Sequence, residues 1–74
     1  MRLSEIEKGC KFRITEINCE NESVARLTAL GLLPGREVRL THQAPLGDPI
    51  AVRFDGCHIS LRLKDAAEVE VEAI

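Results

Sequence analysis

Apolar and polar residues alternate along most of this chain, and the alternation predicts strands. Cys10, Phe12 and Ile14 alternate with Lys11, Arg13 and Thr15, the period-2 signature of a half-buried strand. Ile17 breaks that parity, which predicts a bulge or the end of the strand. Val38, Leu40, His42 and Ala44 form one expected inward row, with Glu37, Arg39, Thr41 and Gln43 facing out. Ile50, Val52 and Phe54 make the next row. Asp55-Gly56 then signals a type I′ hairpin turn. Cys57, Ile59, Leu61 and Leu63 continue inward, with His58, Ser60 and Arg62 outward. Val69, Val71 and Ala73 alternate with Glu68, Glu70 and Glu72 as a last strand.

Helical spacing occurs in one place. Asn21 is a good N-cap, Glu22 suits the positive end of the helix dipole, and Val24, Leu27 and Leu30 are spaced for one face. Gly31 fits the left-handed position after the helix, which lets Leu32 pack back on Leu27. Leu33-Pro34-Gly35-Arg36 reads as a type II turn. Ser4-Glu5-Ile6-Glu7 has capping-box spacing, Lys64 to Ala67 makes about one helical turn, and Pro45 to Pro49 is a rigid connection. Five short strands hide their edges best by curling up. The expected fold is mainly β: a five-stranded SH3-like barrel over residues 1–74, with one short helix after the first strand and a helical turn before the last.

Composition narrows the function classes. A chain of 74 residues holds one domain, with little room for a deep catalytic pocket, so no enzymatic activity is expected. Ten Lys and Arg against twelve Asp and Glu leave a net charge of −2, and Phe12 and Phe54 are the only aromatic residues. Nucleic-acid binding would need a basic excess or stacking platforms, and neither is present. No stretch has the roughly 20 apolar residues that span a bilayer, and the polar, acidic start does not read as a signal peptide. The expected location is the cytoplasm, with no membrane insertion and with Cys10, Cys19 and Cys57 as reduced thiols.

Candidate chemistry is sparse. The cysteines lack zinc-ribbon spacing, and no cofactor is expected. His42, His58 and Cys57 are weak metal candidates, because His42 falls on the inward parity of its strand and His58 on the outward parity of its own. Cys10 and Cys57 read more simply as small core residues and His58 as a surface residue. Ser60 beside His58, with Arg62 near, is the one nucleophile–base pairing, and no oxyanion-forming glycine elbow follows it. Polyproline binding needs an aromatic groove, and the chain has no Trp or Tyr. The remaining interaction surface is the rigid corner Leu32, Leu33, Pro34 and Arg36, together with Leu46 in the Pro45 to Pro49 loop. Leu32 reads alternatively as a staple on the helix end and Leu33 as a barrel cap. Arg36, Arg39, Arg53 and Arg62 could meet an acidic partner, or one could serve as an arginine finger, and nothing in the sequence picks one out.

Three motifs in order carry a family resemblance. Arg26-Leu27-Thr28-Ala29-Leu30-Gly31-Leu32-Leu33-Pro34-Gly35, followed by Val38 and Leu40, resembles the signature of FeoA-type ferrous-iron transport accessory proteins. Ala44-Pro45-Leu46-Gly47-Asp48-Pro49-Ile50 resembles their second motif, and Ile59-Ser60-Leu61-Arg62 with Ala66 their third. With the Leu3 and Gly9 spacing, the resemblance covers nearly the whole chain. It implies an SH3-like barrel acting in the cytoplasm as an adaptor for FeoB, the membrane protein that imports Fe²⁺ and carries a GTPase domain. Cys10 and Phe12 stand where many relatives have smaller or Gly-rich residues, so the first strand is expected to pack differently. Two alternatives stay open: an Fe²⁺ carrier or sensor using Cys57, His58 or His42, and a detached module of the kind found at the C-terminus of metal-dependent repressors.

Overall fold

The computed structural model describes all 74 residues. There are five strands, β1 (Lys11–Ile17), β2 (Glu37–Gln43), β3 (Ile50–Phe54), β4 (Cys57–Leu61) and β5 (Val69–Ala73), with helix α1 (Glu22–Ala29) between β1 and β2 and helix α2 (Leu63–Ala66) between β4 and β5. Every pairing is antiparallel, in the order β4-β3-β2-β1-β5. One face of this sheet wraps a single core that draws Phe12 and Ile14 from β1, Val38 and Leu40 from β2, Ile50, Val52 and Phe54 from β3, Leu61 from β4, and Val69 and Val71 from β5. Leu3, Ile6, Leu27, Leu32 and Ala66 plug the remaining openings. This is the predicted five-stranded barrel, with its short helix after the first strand and its helical turn before the last.

The caps explain the helix ends. Asn21 Oδ1 accepts from the Ser23 and Val24 N–H groups at 2.8 and 3.4 Å, which starts α1. At the other end Leu32 N–H donates to Leu27 C=O and Gly31 N–H to Thr28 C=O, both bonds of a Schellman ending. Gly31 has φ +108°, a conformation that side-chain-bearing residues rarely adopt. The chain therefore leaves the helix axis after Ala29. Leu30 is turned out to 60 % exposure, although its spacing predicts the inward face, and Leu32 takes the buried place instead. The N-terminal cap also differs from expectation. A 3₁₀ turn runs over Leu3–Glu5, and the Arg2 N–H donates to Glu5 Oε1, two residues ahead of the predicted Ser4 and Glu7 pair.

Two bulges change which side chains face in. The register of β1 against β5 slips between Ile14 and Glu16, so Ile17 returns to pack against the core. The register of β2 against β3 slips between Leu40 and His42. His42 therefore pairs with Ala51 on the outer face and is exposed, contrary to its predicted inward parity. Cys10 and Cys57 are also exposed rather than buried. Cys10 lies just before β1, and Cys57 opens an edge strand that has no neighbour to cover it.

Candidate functional site

The predicted docking residues do not form one surface. The α1–β2 corner is fixed at its base by Gly31 and at its tip by a turn in which the Arg36 N–H donates to Leu33 C=O at 3.1 Å. Gly35 sits at φ +91° in the third place of that turn, as a type II turn requires. The Arg36 guanidinium pairs with the Asp55 carboxylate, which ties the corner to the β3–β4 hairpin. Leu32 is fully buried, so its side chain staples the helix end and is not available to a partner. Leu33, at 41 % exposure, and Pro34 remain on the outside, and Leu30 joins them. Leu30 was legible as a candidate only to a reading that stopped the helix at Ala29 before assigning its faces.

Leu46 stands at the far end of β2. The seven residues of that strand, at about 3.3 Å each, put roughly 20 Å between the two ends. A turn formed by Gly47 N–H donating to Ala44 C=O at 2.7 Å places Leu46 at its tip, 97 % exposed. The loop is held from both sides: Ala44 N–H donates to Pro49 C=O, and the Leu63 N–H at the start of α2 donates to Asp48 Oδ1 at 3.1 Å. An almost completely solvated leucine is thus presented on a tethered scaffold, where flexibility would otherwise let it fold back.

The metal candidates are dispersed. The β2 bulge removes the parity that separated His42 from His58, because both now occupy the outer face. They still stand on β2 and β4, with β3 between them. Cys57 faces the other way from His58, and no three His, Cys, Asp or Glu side chains come together in a metal-sized group. Ser60 and His58 share the outer face of β4 without a hydrogen bond between them, and Arg62 lies beyond the strand at the cap of α2. One buried polar group was not anticipated: Asp65 in α2 is 9 % exposed, and its Oδ1 has no hydrogen-bond partner.

A one-sheet barrel of this topology, capped by a short helix, defines a small domain of the SH3-like class. Its relatives make the assignment specific. The FeoA domain family matches residues 1–73, and the chain belongs to that family. It is 35 % identical over all 74 residues to an Fe(2+) transport protein A/Fe(2+) transporter FeoB fusion protein of Porphyromonas gingivalis, and spans 9 % of that protein's length. The solution structure of FeoA from Chlorobium tepidum matches with a TM-score of 0.91 at 34 % identity, over the whole of this chain and 70 % of the other. Stenotrophomonas maltophilia FeoA, solved in complex with zinc and described as an SH3 domain protein, matches with a TM-score of 0.80 at 30 % identity, covering 97 % and 89 % of the two chains. The family is one linked to ferrous-iron transport.

Proposed function

We propose that this domain works in the cytoplasm as an accessory to a membrane ferrous-iron transporter of the FeoB kind, docking on its cytoplasmic part and promoting Fe²⁺ uptake by contact and without catalysis. The observation that carries the reading is the Porphyromonas gingivalis relative, whose description joins the two proteins in one polypeptide. The anchors would be the corner Leu30, Leu33 and Pro34, backed by Arg36, with Leu46 as a second contact at the other end of β2. Apolar side chains on a braced turn lose little conformational entropy when they are covered, so they make effective anchors. No helix is long and apolar enough to cross a membrane, so on this reading the membrane contact is made through the partner.

Co-purification from detergent-solubilised membranes that contain such a transporter tests the proposal. Tagged wild-type domain is expected to retain the transporter, and Leu33→Glu is expected to lose at least tenfold of it while staying folded. Retention of equal amounts by wild type and by Leu33→Glu/Leu46→Glu would refute the docking surface. A wild-type domain that retains none would refute the function.

A further inference from the structure

The outer face of the sheet carries a row of positive charge that the register itself builds. Lys11 on β1 pairs with Arg39 on β2, Arg39 pairs with Arg53 on β3, and Arg53 pairs with His58 on β4. All four are exposed, and none of Lys11, Arg39 and Arg53 has a carboxylate within ion-pairing distance. Directly opposed side chains lie about 5 Å apart at Cβ, and like charges in that relation oppose each other.

The neighbouring row is the internal control. There Arg13 on β1 stands between Glu37 on β2 and Glu72 on β5, and it pairs with them at 3.8 and 3.7 Å. Alternating signs in one row and three unpaired cations in the next are not what an evenly solvated face would show. The acidic side chains bordering the row have partners of their own, Glu37 in Arg13, which it shares with Glu72, and Asp55 in Arg36. A shallow cleft of about 300 Å³ takes in Lys11, Arg39 and Arg53, and its lining also includes Thr41, Val38, Phe54 and the two paired carboxylates, Glu37 and Asp55.

We propose that this row binds an acidic, extended segment of a partner protein, laid across β1, β2 and β3 so that separate carboxylates meet Lys11, Arg39 and Arg53. The geometry selects this occupant over other anions. The three charges are spread over two strand spacings, about 10 Å, and alternate side chains of an extended segment repeat at about 6.6 Å, within reach of long flexible cations. A compact phosphate is held best where several donors converge on one point, whereas these three cations are spread along the row and the backbone N–H groups in the middle of this sheet are committed to the ladders. A flat anionic membrane would press on Glu37 and Glu72 as well, whereas a narrow segment along the row avoids them.

The test is titration of the ¹⁵N-labelled domain with hexaglutamate at low salt. Shifts are expected at Lys11, Arg39 and Arg53, with binding that weakens at least tenfold between 20 and 200 mM NaCl, values chosen to bring the Debye length below the span of the row. Arg39→Gln/Arg53→Gln is expected to weaken binding at least tenfold and to melt no lower than wild type, since it removes a repulsion. Arg62→Gln, which removes one charge away from the row, should alter binding less than twofold. Equal binding of hexaglutamine, equal loss in Arg62→Gln, or shifts confined to other residues would overturn the proposal. So would tighter binding of tripolyphosphate, or of phosphatidylglycerol vesicles, through the same three residues. The titration contains no transporter, so its failure leaves the transporter reading standing, and failure of co-purification leaves this one.

Discussion

Gly31→Ala tests whether the corner that carries Leu30 and Leu33 is wedged against the barrel. At φ +108° a side-chain-bearing residue is strained, which costs of order 1–3 kcal/mol. A Cβ there would also fall 3.3 Å from Phe54 Cε2, inside ordinary van der Waals contact. Phe54 is 4 % exposed in the core and cannot swing away, so the corner itself must yield. The two effects together come to about 2–3 kcal/mol, with both parts taken toward the low end of their usual ranges. Gly35, in the same corner, is the matched control. Its φ is +91°, but nothing lies within 4 Å of the added carbon, so Gly35→Ala meets the backbone cost alone, about 1 kcal/mol. For a domain of this size each kcal/mol moves the melting temperature by about 4–8 °C. Thermal melts by circular dichroism should therefore show a fall of roughly 10–20 °C for Gly31→Ala and about half that or less for Gly35→Ala. A Gly31→Ala melt no lower than that of Gly35→Ala would refute the claim that the corner is packed against Phe54.

Further outcomes follow from burial and spacing. Leu32→Ala should destabilise by about 2–5 kcal/mol, because Leu32 is fully buried, while Leu46→Ala should change stability by less than about 0.5 kcal/mol; urea titration of both variants checks the contrast. Cys10, Cys19 and Cys57 are all exposed, so three thiols should react with a chromogenic disulfide in the folded protein without denaturant. A thiol that reacts only on unfolding would contradict the exposed placement of the cysteine that carries it. Dialysed protein should carry less than a tenth of an equivalent of iron or zinc by elemental analysis, and a stoichiometric metal would make His42, His58 and Cys57 the residues to examine.

The barrel was legible because its signals are local. Alternation in Val38 and Leu40, or in Ile50, Val52 and Phe54, survives in the structure as one buried row. The Asp55-Gly56 turn takes the positive φ values, 48° and 78°, that a type I′ hairpin demands. What escaped was set by neighbours. His42 faces out because a bulge inserts one residue between Leu40 and its pairing with Ala51, and nothing in Thr41 or His42 announces a bulge. Cys57 has the parity of a core residue and is exposed because β4 is an edge, a property of strand order and not of the residue. The docking set divides for a similar reason. Leu33 and Leu46 look close in sequence, and the strand between them holds them at opposite ends of the molecule. The row Lys11, Arg39, Arg53 was invisible for the complementary reason: its members are far apart in sequence and adjacent only through the register.

The central claim is that this domain engages a ferrous-iron transporter through the Leu30, Leu33 and Pro34 corner. Its most direct test is the amount of transporter retained from native membranes by wild-type and Leu33→Glu domain, with both baits shown by circular dichroism to be equally folded. Leu33 is already 41 % exposed, so the substitution should leave the barrel intact. Retention by the wild type with at least a tenfold loss in Leu33→Glu is the predicted result, and equal retention by the two would contradict it.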